Sequence, residues 1–146
     1  MMQRKIEKVL EDQLCFLLYA SSREMTKKYK PLLDKLEVTY PQYLVLLLLW
    51  EQDTLTVKKL GELLALDSGT LTPMLKRMEQ NGLIVRERST EDERSVMIKL
   101  TEKGLGLQEE ACFIPDRISA MSGDDKKVVE DLKASLIQLL KTLQQF

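Results

Sequence analysis

The sequence predicts a mostly α-helical fold with one small β-hairpin wing: a winged helix-turn-helix flanked by long N- and C-terminal helices. Three observations predict it. Two short amphipathic runs lie either side of a turn between Thr56 and Asn81, strand-like alternation replaces helical spacing after Gly82, and long apolar stripes occupy both ends of the chain.

In chain order, Leu10, Leu14, Leu17, Leu18, Met25, Leu32 and Leu33 return at helical spacing. They predict a long helix between Leu10 and Leu36 that Pro31 breaks or kinks near Lys30. The strongest apolar run, Tyr43 to Trp50, is too short to span a bilayer and reads as a helix buried on all sides, begun after Pro41. Thr56 caps a shorter helix in which Val57, Leu60, Leu63 and Leu64 face one way, and Ala65, Leu66 and Asp67 leave room only for a turn. The next helix runs from about Gly69 to Asn81, with Ser68 as N-cap, Pro73 in its early turns and Leu71, Met74, Leu75 and Met78 on its apolar face. Leu83 and Val85, then Val96, Ile98 and Leu100, alternate with polar positions as two half-buried strands around a polar loop, Ser89 to Arg94. Near the end, Val128, Val129, Leu132, Leu136, Leu139, Leu140 and Leu143 form a second helical stripe.

Two short helices with a tight turn make a helix-turn-helix, whose second helix enters the DNA major groove with its N-terminal residues against the base edges. Here those residues are Ser68, Gly69, Thr70 and Thr72, small or hydroxyl-bearing, with Arg77 two turns on and within reach of a phosphate or a guanine. A hairpin directly after such a helix is a wing. Its tip is expected to present Arg86, Arg88 and Arg94 to the backbone or a narrow minor groove, with Asp92 orienting the Arg94 guanidinium. In an arbitrary hairpin such arginines solvate an edge and pair with Glu91 and Glu93; behind a helix-turn-helix the DNA reading takes precedence.

Between Thr56 and Leu100 the basic residues Lys58, Lys59, Lys76, Arg77, Arg86, Arg88, Arg94 and Lys99 are almost balanced by Glu62, Asp67, Glu79, Glu87, Glu91, Asp92 and Glu93. Without a bulk positive field, DNA affinity has to come from local placement of a few arginines and from duplication of the head. The terminal stripes could pack on each other within one chain. A compact winged helix has little surface to cover both, so pairing with a second copy is the better use of them. A homodimer would set two recognition helices about 34–36 Å apart, matching a pseudo-palindromic double-stranded operator.

The 146 residues, 44% hydrophobic and 31% charged with a net charge of -1, fit one domain. Within it, residues 1–50 and 101–146 are expected to form the helical dimerisation region and residues 51–100 the DNA-binding region. The charged start MMQRKIEKVLEDQ resembles no signal peptide, so a cytoplasmic location without membrane attachment is expected. No histidine occurs, and two cysteines without nearby ligands make no ordinary zinc site. There is no glycine-rich phosphate loop and no Ser/His/Asp or Cys/His set. The expectation is therefore no metal, no cofactor and no enzymatic activity; a thiol peroxidase using Cys15 would need a thioredoxin-like strand pattern that is missing.

The run LDSGTLTPMLKRMEQNGLIVRERSTEDERSVMIKLTEKG resembles the multiple-antibiotic-resistance regulator (MarR) family, through the Asp-x-Arg wing of Asp92, Glu93 and Arg94 and the Leu-Thr-x-x-Gly segment from Leu100 to Gly104. The stretch QLCFLLYASSREMTKKYKPLLDKLEVTYPQYLVLLLLWE, Gln13 to Glu51, is similar to its organic-hydroperoxide-sensing branch, the OhrR repressors, and to relatives that use the same thiol for wider redox control. The resemblance implies a dimeric repressor that releases its operator when a signal arrives, here organic hydroperoxide; elsewhere in the family the effector is a small aromatic ligand.

A lone helical cysteine such as Cys15 is ordinarily a small buried hydrophobe. Its surroundings are distinctive: Tyr19, Tyr29 and Tyr40, three of four tyrosines in the chain, all follow within 25 residues, Tyr19 at i+4. The resemblance implies that Cys15 is the redox sensor and that Tyr29 and Tyr40 of the other subunit hydrogen-bond its thiol. It further implies that oxidation there disturbs the dimer interface. The nearest cation that follows it in sequence is Arg23. Cys112 lies where two-cysteine members carry a resolving thiol, though several residues early; an inert packing role and a second redox role both remain open for it.

Overall fold

The computed structural model describes residues 2–92, 94–121, 123 and 125–145. Its backbone contacts divide the chain into two compact units, with the boundary between Ile114 and Pro115. The first unit holds α1 (Met2–Glu11), α2 (Leu14–Asp34), α3 (Tyr40–Glu51), β1 (Thr54–Thr56), α4 (Val57–Leu64), α5 (Ser68–Gln80), β2 (Ile84–Arg88), β3 (Val96–Leu100) and α6 (Glu102–Ala111). The second holds most of α7 (Ile114–Met121) and all of α8 (Lys126–Gln144).

The expected first helix is two helices. Gln13, extended at φ -100°, separates α1 from α2, while α2 runs through Pro31 without a break. Pro31 lies one turn from the C-terminal end, where losing one i→i-4 bond leaves few residues to be unseated. Thr39 starts α3 with a reciprocal capping box: its hydroxyl accepts the Gln42 N–H at 3.4 Å and the Gln42 side chain accepts the Thr39 N–H at 3.0 Å. Pro41 therefore sits inside the first turn rather than before it. Nor is α3 buried on all sides: Val45, Leu46 and Leu49 are sealed, but Leu47 is 38% exposed.

The core of the first unit joins those α3 residues to Leu60 of α4, Leu71, Leu75 and Met78 of α5, and Ile84 and Ile98 of the sheet. Each such side chain contributes about 1.5–3 kcal/mol on leaving water. The turn between α4 and α5 is as tight as expected. Ala65 takes the left-handed conformation (φ 55°, ψ 43°) and the Leu66 N–H donates to the Gly61 carbonyl at 3.0 Å. A Cβ on Gly61 would stand 2.9 Å from the Leu66 oxygen, so the turn closes only over glycine. The N-cap of α5 is Asp67, whose carboxylate accepts the Thr70 N–H, and Ser68 is already helical. Pro73 is thus the sixth helical residue, past the free donors of the first turn, and removes the bond to the Gly69 carbonyl.

The sheet has three strands in the order β1-β3-β2, all antiparallel. Strand β1 has no counterpart in the sequence pattern; it pairs Leu55 with Ile98 and ties the start of α4 to the wing. The phase of β2 also differs from the expected alternation. Leu83 and Ile84 are both buried and Val85 is 38% exposed, because Leu83 belongs to the turn after α5 and only Ile84 opens the strand.

Candidate nucleic-acid interface and thiol site

Ser68, Gly69 and Thr70 occupy the exposed first turn of α5, where no helical partner uses their N–H groups beyond the Asp67 cap. The bond from Thr70 holds the Asp67 carboxyl below its ordinary range, so the cap is charged at neutral pH. Thr72 is half-buried, and Arg77 is exposed in the last turn. The structure therefore gathers Ser68, Gly69 and Thr70 at one free helix end and sets Arg77 at the other.

The three wing arginines are not equivalent. Arg86 is not at the tip: its Nε donates to Glu79 Oε1 and its backbone N–H to Glu79 Oε2, both at 3.1 Å. The Glu79 carboxyl is held below its usual value by those two bonds. This pair covers an otherwise open strand edge and fastens the wing to α5. Arg88 and Arg94 are exposed further out. Asp92 does not meet the Arg94 guanidinium as expected; its Oδ1 accepts the Arg94 main-chain N–H at 3.0 Å and its Oδ2 the Ser95 hydroxyl at 3.4 Å. Ser89 completes the loop, its hydroxyl accepting the N–H groups of Glu91 and Asp92. Glu93 lies outside the described residues.

The wing root is built around Thr101. Its hydroxyl donates to the Gly82 carbonyl and accepts the Gly104 N–H, while its own N–H donates to the Leu83 carbonyl at 3.1 Å. A Cβ on Gly104 would fall into the Leu83 carbonyl oxygen and within 2.9 Å of Leu100 Cδ2. The Leu-Thr-x-x-Gly segment is thus a physical requirement of joining wing to α6. Trp50, at the far end of α3, donates its indole N–H to the Gly104 carbonyl at 3.0 Å. Sequence reasoning assigned no role to Trp50 or Glu79, since both partners lie outside the local pattern.

Cys15 is exposed in the first turn of α2. Tyr19 follows on the same face, and the Arg23 guanidinium carbon stands 5.3 Å from its ring centre, placing a cation on that stripe. Tyr29 is elsewhere. Positions 15 and 29 share one helix and are separated by about 21 Å at its rise per residue, so a chain does not bring its own thiol to its own Tyr29.

Tyr29 packs on Tyr40 with ring centres 4.8 Å apart, and both meet Tyr43, at 6.0 and 6.4 Å. Tyr43, which the sequence places in the apolar run of α3 without tying it to the thiol, is the buried member. Burial pushes all three phenols up, assisted at Tyr29 by Tyr40 and Tyr43 and at Tyr43 by Tyr40, so they stay hydrogen-bond donors well past neutral pH. Cys112 is exposed at the C-cap of α6. Among the described residues no group of three His, Cys, Asp or Glu could hold a metal ion, and no helix is long and apolar enough to cross a membrane.

Comparison with known proteins agrees with this geometry. The family model described as "Transcriptional regulator SarA/Rot" matches residues 27–110. The organic hydroperoxide resistance transcriptional regulator of Bacillus subtilis (strain 168) is 68% identical over 136 residues, 93% of this chain and 92% of that protein. Among solved structures, reduced AbfR bound to DNA superposes with a TM-score of 0.80 at 39% identity, covering 99% of this chain and 98% of its own. Disulfide-formed AbfR, also 39% identical and covering 99% and 97%, superposes at 0.61. Matched length, identity and winged-helix architecture together place this chain in the MarR family of transcriptional regulators, in its organic-hydroperoxide-sensing branch, rather than among enzymes.

Proposed function

We propose that the protein is a homodimeric, cytoplasmic repressor that binds a pseudo-palindromic operator and releases it when organic hydroperoxide oxidises Cys15. The observation that carries this reading is an exposed thiol at the head of α2 in a chain 68% identical to a regulator of organic hydroperoxide resistance. Ser68, Gly69, Thr70, Thr72 and Arg77 read the major groove; Arg88 and Arg94 contact the backbone or minor groove, with Asp92 and Arg86 shaping the wing that carries them.

In the sensing step the Cys15 thiolate attacks the terminal peroxide oxygen and the O–O bond breaks. The alkoxide takes a proton and leaves as the alcohol, and sulfur is oxidised to the sulfenic acid. Protonated Tyr29 and Tyr40 supplied by the second subunit donate hydrogen bonds to the thiolate and then to the sulfenic oxygen, with Tyr19 beside them. Oxidation changes what these phenols bond, and the spacing of the two heads changes with it.

The test is a mobility-shift titration of operator DNA with reduced protein and with protein treated with cumene hydroperoxide. Treatment should abolish the shift, and Cys15→Ser should bind as wild type does yet stay bound after treatment. Release of the Cys15→Ser protein by hydroperoxide would remove Cys15 from the mechanism, and release by phenolic ligands alone would replace the signal.

A further inference from the structure

The tyrosine cluster and the wing root stand at opposite ends of α3. Tyr40 is the first residue of that helix and Trp50 the last but one, about 15 Å apart along its axis. Buried Tyr43 bridges them, touching the Tyr29 and Tyr40 rings on one side and Trp50 on the other, at 6.2 Å and an interplanar angle of 70°. An edge-on aromatic pair of this kind has a preferred geometry and resists sliding.

Beyond Trp50 the connection is polar. Its indole N–H donates to Gly104, the residue whose missing side chain lets α6 lie against the Leu83 backbone. Thr101 joins the same point to Gly82, just past the recognition helix, and Lys103 Nζ donates to the Asn81 carbonyl at 2.9 Å. One indole hydrogen bond therefore links the helix that carries Tyr40 to the junction where α5, the wing and α6 meet.

We propose that Trp50 is the coupling residue of the switch: its bond to the Gly104 carbonyl conveys displacement of Tyr29 and Tyr40 into reorientation of the DNA-reading head. The proposal rests on the functional reading above and assigns a positioning role, since Trp50 touches neither thiol nor DNA-reading residue. Trp50→Phe keeps a smaller aromatic ring against Tyr43 and removes the N–H together with the rest of the indole's second ring. With the link cut, α3 loses its polar tie to the wing root and acts on it only through apolar packing.

The experiment measures fluorescence anisotropy of labelled operator with dimeric wild type and Trp50→Phe, each reduced and then treated with cumene hydroperoxide, alongside thiol consumption. Reduced Trp50→Phe should bind within about threefold of wild type and lose Cys15 thiol at the wild-type rate, while the factor by which oxidation weakens binding falls by about tenfold. Equal release of the two proteins overturns the proposal and leaves the functional reading intact; a wild type that holds its operator after treatment overturns both. Trp50 is the sole tryptophan of the sequence, so its emission provides a second readout that needs no variant. Oxidation should change that emission in wild type and leave it unchanged in Cys15→Ser. Emission unaltered by oxidation in wild type overturns the coupling role even if Trp50→Phe fails to fold.

Discussion

At the scale of single residues, chemistry that looks alike is put to different uses by position. Arg86 and Arg94 are both wing arginines, yet one is locked to Glu79 and the other extends from a loop held by Asp92 through the main chain. Arg94→Ala is therefore expected to weaken operator binding by about 1–2 kcal/mol per head with an unchanged melting temperature; a titration and a thermal melt on the same sample check both. The tyrosines give a pH prediction with a definite sign. A phenol whose folded pKa is raised contributes stability that is complete below its unfolded value, 10.0, and is lost as pH climbs through the folded value. Stability should thus be flat in these groups through neutral pH and decline above 10.0, and Tyr40→Phe should reduce that decline in alkaline unfolding curves.

Among elements, how much was legible depended on the range of the interaction that formed each one. The α4-turn-α5 unit and the hairpin were readable because side chains three, four or two positions apart decide them, as Leu71, Leu75 and Met78 do for α5. Strand β1 was not, since three residues acquire strand character only by pairing with Val96–Leu100 far along the chain. The Asp67 cap was missed by one position, a usual slip at a helix end where Asp and Ser are both good caps. Of the candidate site, the start of α5 could be picked out from the residues and Cys15 only through the family resemblance, whereas Arg86 could not be told from Arg94 without knowing where Glu79 points. Thr101 illustrates the gain from structure. It caps α6 and bonds back across the wing root, so Thr101→Val should cost about 2 kcal/mol, seen as a lower urea midpoint with unchanged slope at fixed protein concentration.

For the whole molecule, the dominant feature is apolar surface that calls for a cover. Ile6, Val9 and Leu10 of α1 and Val128, Leu132, Leu140 and Leu143 of α8 are all exposed in the isolated chain, each on a helix that also carries charged residues. Such stripes are rare on a monomer and usual at an obligate interface. Leu132→Asp is expected to yield monomers in sedimentation equilibrium and to reduce operator affinity by about tenfold or more, since a head of nearly balanced charge binds feebly by itself.

The strand order has a consequence for how the chain is made. β3 lies between β1 and β2, so the middle of the sheet is the last of its strands to be synthesised. A nascent chain ending before Val96 carries the complete helix-turn-helix with two strands that cannot pair, because their common neighbour does not yet exist. Chain growth through Leu100 then completes the sheet and, with Thr101 and Gly104, locks α6 and α3 to it. A ribosome stalled short of that point would display the helix-turn-helix on an unbraced scaffold, which makes residues 96–104 the checkpoint between a polypeptide and a folded head.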